Sequence, residues 1–159
     1  MVTNRRRFLA LATTALGAPF ASRYAFAQPA KAQASETNVD GVTAEIFEAV
    51  RKEGVLTVKM RLRNTGAAVA RVPISQGWND IDKYYPVAGS TKFLPLRDSK
   101  TFPLMVQVGD NGWLTPDIKP GGSFLFWAKY PAPPADAHKF TFYTPLTPPI
   151  EDVPISDVK

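Results

Sequence analysis

The sequence predicts an all-β domain, an antiparallel sandwich of about seven or eight short strands. Three observations predict it. From Val55 to Arg63, Leu56, Val58, Met60 and Leu62 alternate with Thr57, Lys59, Arg61 and Arg63, the period of two of a half-buried strand. Short apolar or aromatic runs recur along the chain between Gly, Pro, Asn and Asp turn residues. After residue 27 no long helical period is sustained. Strand number and length favour Greek-key, immunoglobulin-like connectivity, with a small barrel as the alternative.

Residues 28–41 lack periodic apolar character and predict a flexible tether, leaving residues 42–159 as the domain. Val42 to Val50 suits a strand or a helix by propensity, but the turn Lys52-Glu53-Gly54 favours a hairpin arm. The Val55–Arg63 strand follows and closes at Asn64-Thr65-Gly66. Ala67 to Ile74 predicts another short strand, broken by Gln76-Gly77-Trp78-Asn79-Asp80. Lys83–Val87 and Thr91–Leu96 flank Ala88-Gly89-Ser90 as a hairpin, which Pro86 and Pro95 push towards a sheet edge. Leu104–Val108 predicts a strand ahead of the loop Gly109-Asp110-Asn111-Gly112. Ser123–Tyr130 carries apolar residues on both faces and predicts a central, doubly covered strand with Trp127 in the core. Phe140–Thr144 is the last expected strand, followed by a proline-rich tail.

The chain has 159 residues, 45% hydrophobic and 21% charged, with no cysteine. That composition suits one folded domain and excludes disulfides, thiolate metal sites, cysteine-linked haem and a lipidated cysteine. The formal net charge of +5 is unevenly placed. Residues 1–27 hold Arg5, Arg6, Arg7 and Arg23 and no acid, leaving 15 Lys and Arg against 14 Asp and Glu in the remainder. A near-neutral remainder supports neither a nucleic-acid partner nor an anionic membrane surface.

Asn4-Arg5-Arg6-Arg7-Phe8-Leu9, with its paired Arg5 and Arg6 before Phe8 and Leu9, resembles the twin-arginine export signal. A moderately apolar run to Phe20 follows, and Ala25-Phe26-Ala27 places small residues where signal peptidase reads them, with cleavage before Gln28. A basic amphipathic helix or a mitochondrial presequence is the alternative. The resemblance implies a folded passenger of the bacterial twin-arginine translocase, localised in the periplasm or secreted, with no membrane span after cleavage. One histidine and scattered carboxylates make a metal centre built by this chain alone unexpected, and no cofactor is expected.

The block Pro120-Gly121-Gly122-Ser123, Phe126-Trp127-Ala128-Lys129-Tyr130-Pro131-Ala132-Pro133-Pro134 and Pro148-Pro149-Ile150-Glu151-Asp152-Val153-Pro154-Ile155 resembles one in bacterial envelope proteins with an immunoglobulin-like domain. The segments around Lys83-Tyr84-Tyr85 and Lys92–Leu96 and the Val55–Arg63 strand extend the resemblance over roughly residues 42–155. It implies a sandwich in the cell envelope and supplies no catalytic residues.

Trp78, Tyr84, Tyr85 and Trp113 lie in irregular or edge segments with polar neighbours and are candidates for a recognition patch for a protein or glycan. Core filling competes equally for Trp78 and Trp113. Arg61 and Arg63, with Lys59, form a cationic stripe for an acidic partner or a solvated outer face. His138 stands without a second histidine or cysteine, which favours a surface loop. Asp80, Asp82, Asp110 and Asn111 offer oxygen ligands but lack the spacing of an EF-hand loop. Ser75, Ser90 and Ser123 lie in no nucleophile elbow. The residues together predict a noncatalytic binding or structural module recognising a protein or envelope polymer through an aromatic and basic surface. The alternatives are a small subunit co-exported with a twin-arginine-dependent redox enzyme, and a hydrolase whose acids and His138 converge in one pocket.

Overall fold

The computed structural model describes residues 33–158. The signal residues Arg5, Arg6, Phe8, Leu9, Ala25 and Ala27, and the start of the expected tether, lie outside them. In chain order the elements are β1 (Gln33–Glu36), β2 (Val42–Lys52), β3 (Val55–Asn64), β4 (Ala70–Arg71), β5 (Ser75–Gln76), α1 (Trp78–Ile81), β6 (Tyr85–Ala88), β7 (Thr91–Lys92), β8 (Trp113–Leu114), β9 (Asp117–Ile118), β10 (Ser123–Pro131), β11 (Lys139–Thr144), β12 (Thr147–Pro154) and β13 (Ser156–Asp157).

One sheet runs β1-β2-β3-β10, with β13 parallel to the far half of β2; the other runs β12-β11-β6-β7. Beyond β10 lies an irregular segment bridged through Met105 to Ala128. The order β2-β3-β10-Met105 opposite β7-β6-β11-β12 is that of strands A-B-E-D opposite C′-C-F-G in an immunoglobulin-like sandwich. The alternation of β3 sends Leu56, Val58, Met60 and Leu62 into the core, fully buried. Each such side chain contributes about 1.5–3 kcal/mol on burial. Beside them in the same sheet, Tyr130 of β10 meets Phe142 of β11 from the opposite sheet edge-on at 6.2 Å, closing the space between the sheets.

The β2–β3 turn is the residue pair Glu53-Gly54 at φ 50° and 79°, a left-handed pair that matches the twist of a hairpin. The β2–β3 register slips between Ile46 and Glu48, so Phe47 and Glu48 both leave the core before Ala49 and Arg51 return to it.

Several expectations are corrected. The stretch expected as a tether contains β1, which pairs Gln33–Glu36 with Thr43–Ile46; backbone pairing at a sheet edge needs no apolar side chains. The proline-rich tail is β12, the outer strand of its sheet, where Pro148 and Pro149 lack no ladder partner that an edge strand must supply. The hairpin of β6 and β7 does end its sheet, with two-residue β7 outermost, but its β6 arm, with Pro86, lies between β7 and β11. Strand β10 is covered on one face alone: Phe126, Ala128 and Tyr130 are buried, whereas Leu125 is 47% exposed and Trp127 is half-buried on the outer face. Leu104–Val108 is irregular, held along β10 by hydrogen bonds from Lys129 N to Leu104 O and from Val106 N to Trp127 O, both 2.8 Å.

Candidate functional site

Two connections, residues 65–84 from one sheet to the other and residues 107–122 from the Met105 segment to its neighbour β10, are longer than the usual loops of compact domains. They run antiparallel and zip together. Ala70 and Arg71 pair with Ile118 and Asp117, and Ser75 and Gln76 with Leu114 and Trp113. Between these pairs Val72 N donates to Pro116 O and Ile74 N to Leu114 O, each at 3.0 Å. Asn64, 1% exposed, fastens the base: its Nδ2 donates to Ala68 O (2.7 Å) and Ile118 O (2.8 Å), and its Oδ1 accepts from Gly66 N (2.9 Å). Buried Val72, Ile74 and Ile118 supply the apolar anchor.

At the far end Gly112, at φ 79°, lies against Trp78, where an added Cβ would stand 2.6 Å from the Trp78 nitrogen. The buried Ser75 hydroxyl donates to Gly112 O at 2.6 Å, so it is a fastener between the two connections rather than a nucleophile.

A third wall comes from residues 97–103, bridged Arg97 to Pro103. Asp98 Oδ1 accepts from Lys100 N (2.8 Å) and Phe102 N (2.9 Å), tightening the turn. Within it Thr101 takes φ 68°, a left-handed conformation that is strained for a β-branched residue. The turn presents Phe102, 51% exposed, edge-to-face against half-buried Trp78 at 5.7 Å and 61°. Arg97 is pinned by Asp82 Oδ1 (2.9 Å) and Thr101 O (3.1 Å). Two adjoining depressions share Trp78, Phe102 and Asp110. One, of about 340 Å³, adds Arg97 and Thr101; the other, of about 280 Å³, adds Pro103 and the stretch 105–109. Backbone strain beside an exposed aromatic packed on a half-buried one, on a braced scaffold, is a pattern of ligand sites.

The structure divides the predicted surface into separate places. Trp78 and Trp113 belong to one loop cluster, with Trp113 52% exposed opposite Gln76. Tyr84 is a core residue, fully buried, packed on Phe126 at 4.9 Å and donating its hydroxyl to Ile74 O at 2.7 Å. Burial pushes its phenol far above the ordinary range. Its neighbour Tyr85 points outward on the other sheet, stacked on Tyr143 at 5.1 Å with Lys92 Nζ 3.8 Å above its ring. Arg61 and Arg63 lie on the outer face of the β2–β3–β10 sheet. There Glu45 pairs with Arg61 (3.2 Å) and Glu48 with Lys59 (2.9 Å), and Arg61 stacks on Phe47 at 4.6 Å. The two depressions at Trp78 are lined by none of Arg61, Arg63 and Tyr85.

The polar candidates do not converge. Asp80 accepts from Lys83 Nζ (2.7 Å) and Gln76 N (2.8 Å), and these bonds hold its carboxyl below the usual carboxylate range. Asp82 serves Arg97, and Asn111 Oδ1 accepts from Trp113 N at 3.1 Å. Among the described residues no three His, Asp or Glu side chains cluster to hold a metal ion. Exposed His138 lines a different, broad depression with Ser90, Asp136 and Lys139. Sequence reasoning missed Phe102, Arg97 and Thr101, whose one signal is a single aromatic behind the polar turn Arg97-Asp98-Ser99-Lys100-Thr101.

Comparison of the chain with protein-family models, with curated proteins and with solved structures finds no significant match in any of the three.

Proposed function

We propose that the protein is a noncatalytic binding module of the bacterial cell envelope, exported to the periplasm by the twin-arginine route. The cleft at Trp78 and Phe102, with exposed Trp113 on the same zipped connections, is the observation that carries the binding role. Large exposed aromatics on loops tied down by backbone ladders present contact area at little entropic cost, as recognition surfaces require. The export motif Asn4–Leu9 with Ala25-Phe26-Ala27 supports the compartment. The partner in this proposal is a protein or an envelope polymer.

The test uses tagged protein from Gln28 onward, incubated with soluble and insoluble envelope fractions beside the Trp78→Ala, Trp113→Ala double variant. Material retained by the native protein and lost from the variant, with circular dichroism showing both folded, is the expected outcome. Equal retention by both, or retention of nothing above a blank resin, overturns the proposal.

A further inference from the structure

We infer that the Trp78–Phe102 cleft takes the ring of a neutral saccharide; this rests on the binding-module proposal and names its ligand class. The wall is aromatic: the exposed Phe102 ring stands edge-to-face on Trp78, offering an apolar surface to the C–H face of a sugar ring. The rim is polar, formed by Arg97, Thr101 and Asp110 around the same depression. Planar guanidinium and carboxylate groups each engage two neighbouring hydroxyls, the pairing that a polyol presents.

Charge decides between ligand classes. Asp82 offsets Arg97 at 2.9 Å, and Asp110 places a carboxylate on the rim, so an anion meets repulsion there. A quaternary cation would meet the Arg97 guanidinium and two aromatic rings rather than a cage. An uncharged, hydroxyl-rich ring satisfies both signs. Arg97 is already fixed by Asp82 and by the Thr101 carbonyl, so its ordering is complete before a ligand arrives.

The depression of about 340 Å³ falls in the range of small-ligand sites, about 300–1,000 Å³. The adjoining one continues past Gln107 and Val108, whose N–H groups have no backbone acceptor among the described residues. A second, linked sugar unit would meet those donors, which suits a polymer rather than a free monosaccharide.

The test titrates the protein from Gln28 onward with short neutral glucans, galactans and N-acetylglucosamine oligomers. Choline and inorganic phosphate serve as charged probes. The readout is the NMR shift of the Trp78 indole N–H, assigned with Trp78→Phe. The expected result is saturable binding of at least one neutral oligosaccharide, weakened about tenfold by Phe102→Ala and also weakened by Asp110→Asn. Phe102 is exposed, so its truncation spares the core, and His138→Ala leaves the affinity unchanged. Absence of any saccharide-dependent shift, or displacement of the Trp78 signal by choline or phosphate alone, overturns the inference. If envelope material is still captured through Trp78 in that case, only the ligand class falls; if it is not, the binding-module proposal falls with it.

Discussion

Arg51 shows how one side chain can close one end of the sandwich. Its Nε and Nη2 reach Asp157 Oδ1 (2.6 Å) and Oδ2 (2.9 Å), joining β2 to β13. The same guanidinium donates to the carbonyls of Pro133 (3.2 Å), Ala135 (3.1 Å) and Ala137 (3.1 Å). Pro131, Pro133 and Pro134 remove N–H groups from that loop while leaving its carbonyls to be satisfied, and the five-donor fork supplies the partners. Arg51→Met is expected to lower the unfolding free energy by about 3 kcal/mol, read by urea denaturation, because several carbonyls lose their donor at once. Arg51→Lys recovers only part of it, since an ammonium cannot reproduce the fork. The hydrogen bond from Arg51, reinforced by its charge, holds the Asp157 carboxyl below the usual carboxylate range. A depressed folded-state value means that this contribution is complete above the unfolded value, about pH 4, and is lost as pH falls through the folded one. Urea midpoints taken from neutral pH to about pH 3 therefore fall less steeply for Asp157→Asn than for the native chain.

The β2–β3 hairpin carries a local conflict at the level of the element. Glu53 occupies a left-handed position at φ 50°, where a side chain without a short polar group is disfavoured, and its ion pair with Lys52 is long, at 3.8 Å, and exposed. Asn-Gly is the preferred pair for such a turn. Glu53→Asn is accordingly expected to raise stability by about 0.5–1 kcal/mol, seen as a higher thermal midpoint with unchanged cleft signals. A lower midpoint would show that Glu53 makes a contribution beyond its turn geometry. The strand itself was legible from the period of two in Leu56, Val58, Met60 and Leu62. The slip at Phe47 was not, because a bulge is chosen by the register that keeps Ala49 and Arg51 inward on the neighbouring pair.

Across the whole molecule the sandwich supports a second layer of order, the two zipped connections that end at the aromatic cleft. Gly112 is a tight point of it, since both its φ of 79° and the 2.6 Å at which an added Cβ would stand from the Trp78 backbone nitrogen exclude a side chain. Gly112→Ala is expected to displace Trp78 and to abolish envelope capture, while the near-native dispersion of core methyl signals in NMR persists. Loss of those core signals as well would mean that the connections and the sandwich fold as one unit. Tyr85, with Tyr143 and Lys92, and the Arg61–Arg63 face are separate surfaces, so substitutions there leave the cleft intact.

Alternation, turn residues and the position of glycine determined the all-β class and the hairpins, because strand formation and turn formation depend on residues a few positions apart. The division of the aromatics required the tertiary structure. Tyr84 and Tyr85 are adjacent and chemically identical, yet one fills the core and the other faces solvent, since successive side chains of an extended chain point to opposite faces and only the packed sheets decide which face is inside. The cleft depended on it even more. Ser75 meets Gly112 and Trp78 meets Phe102 through the antiparallel course of two long connections and a turn, contacts between distant segments that no local periodicity encodes.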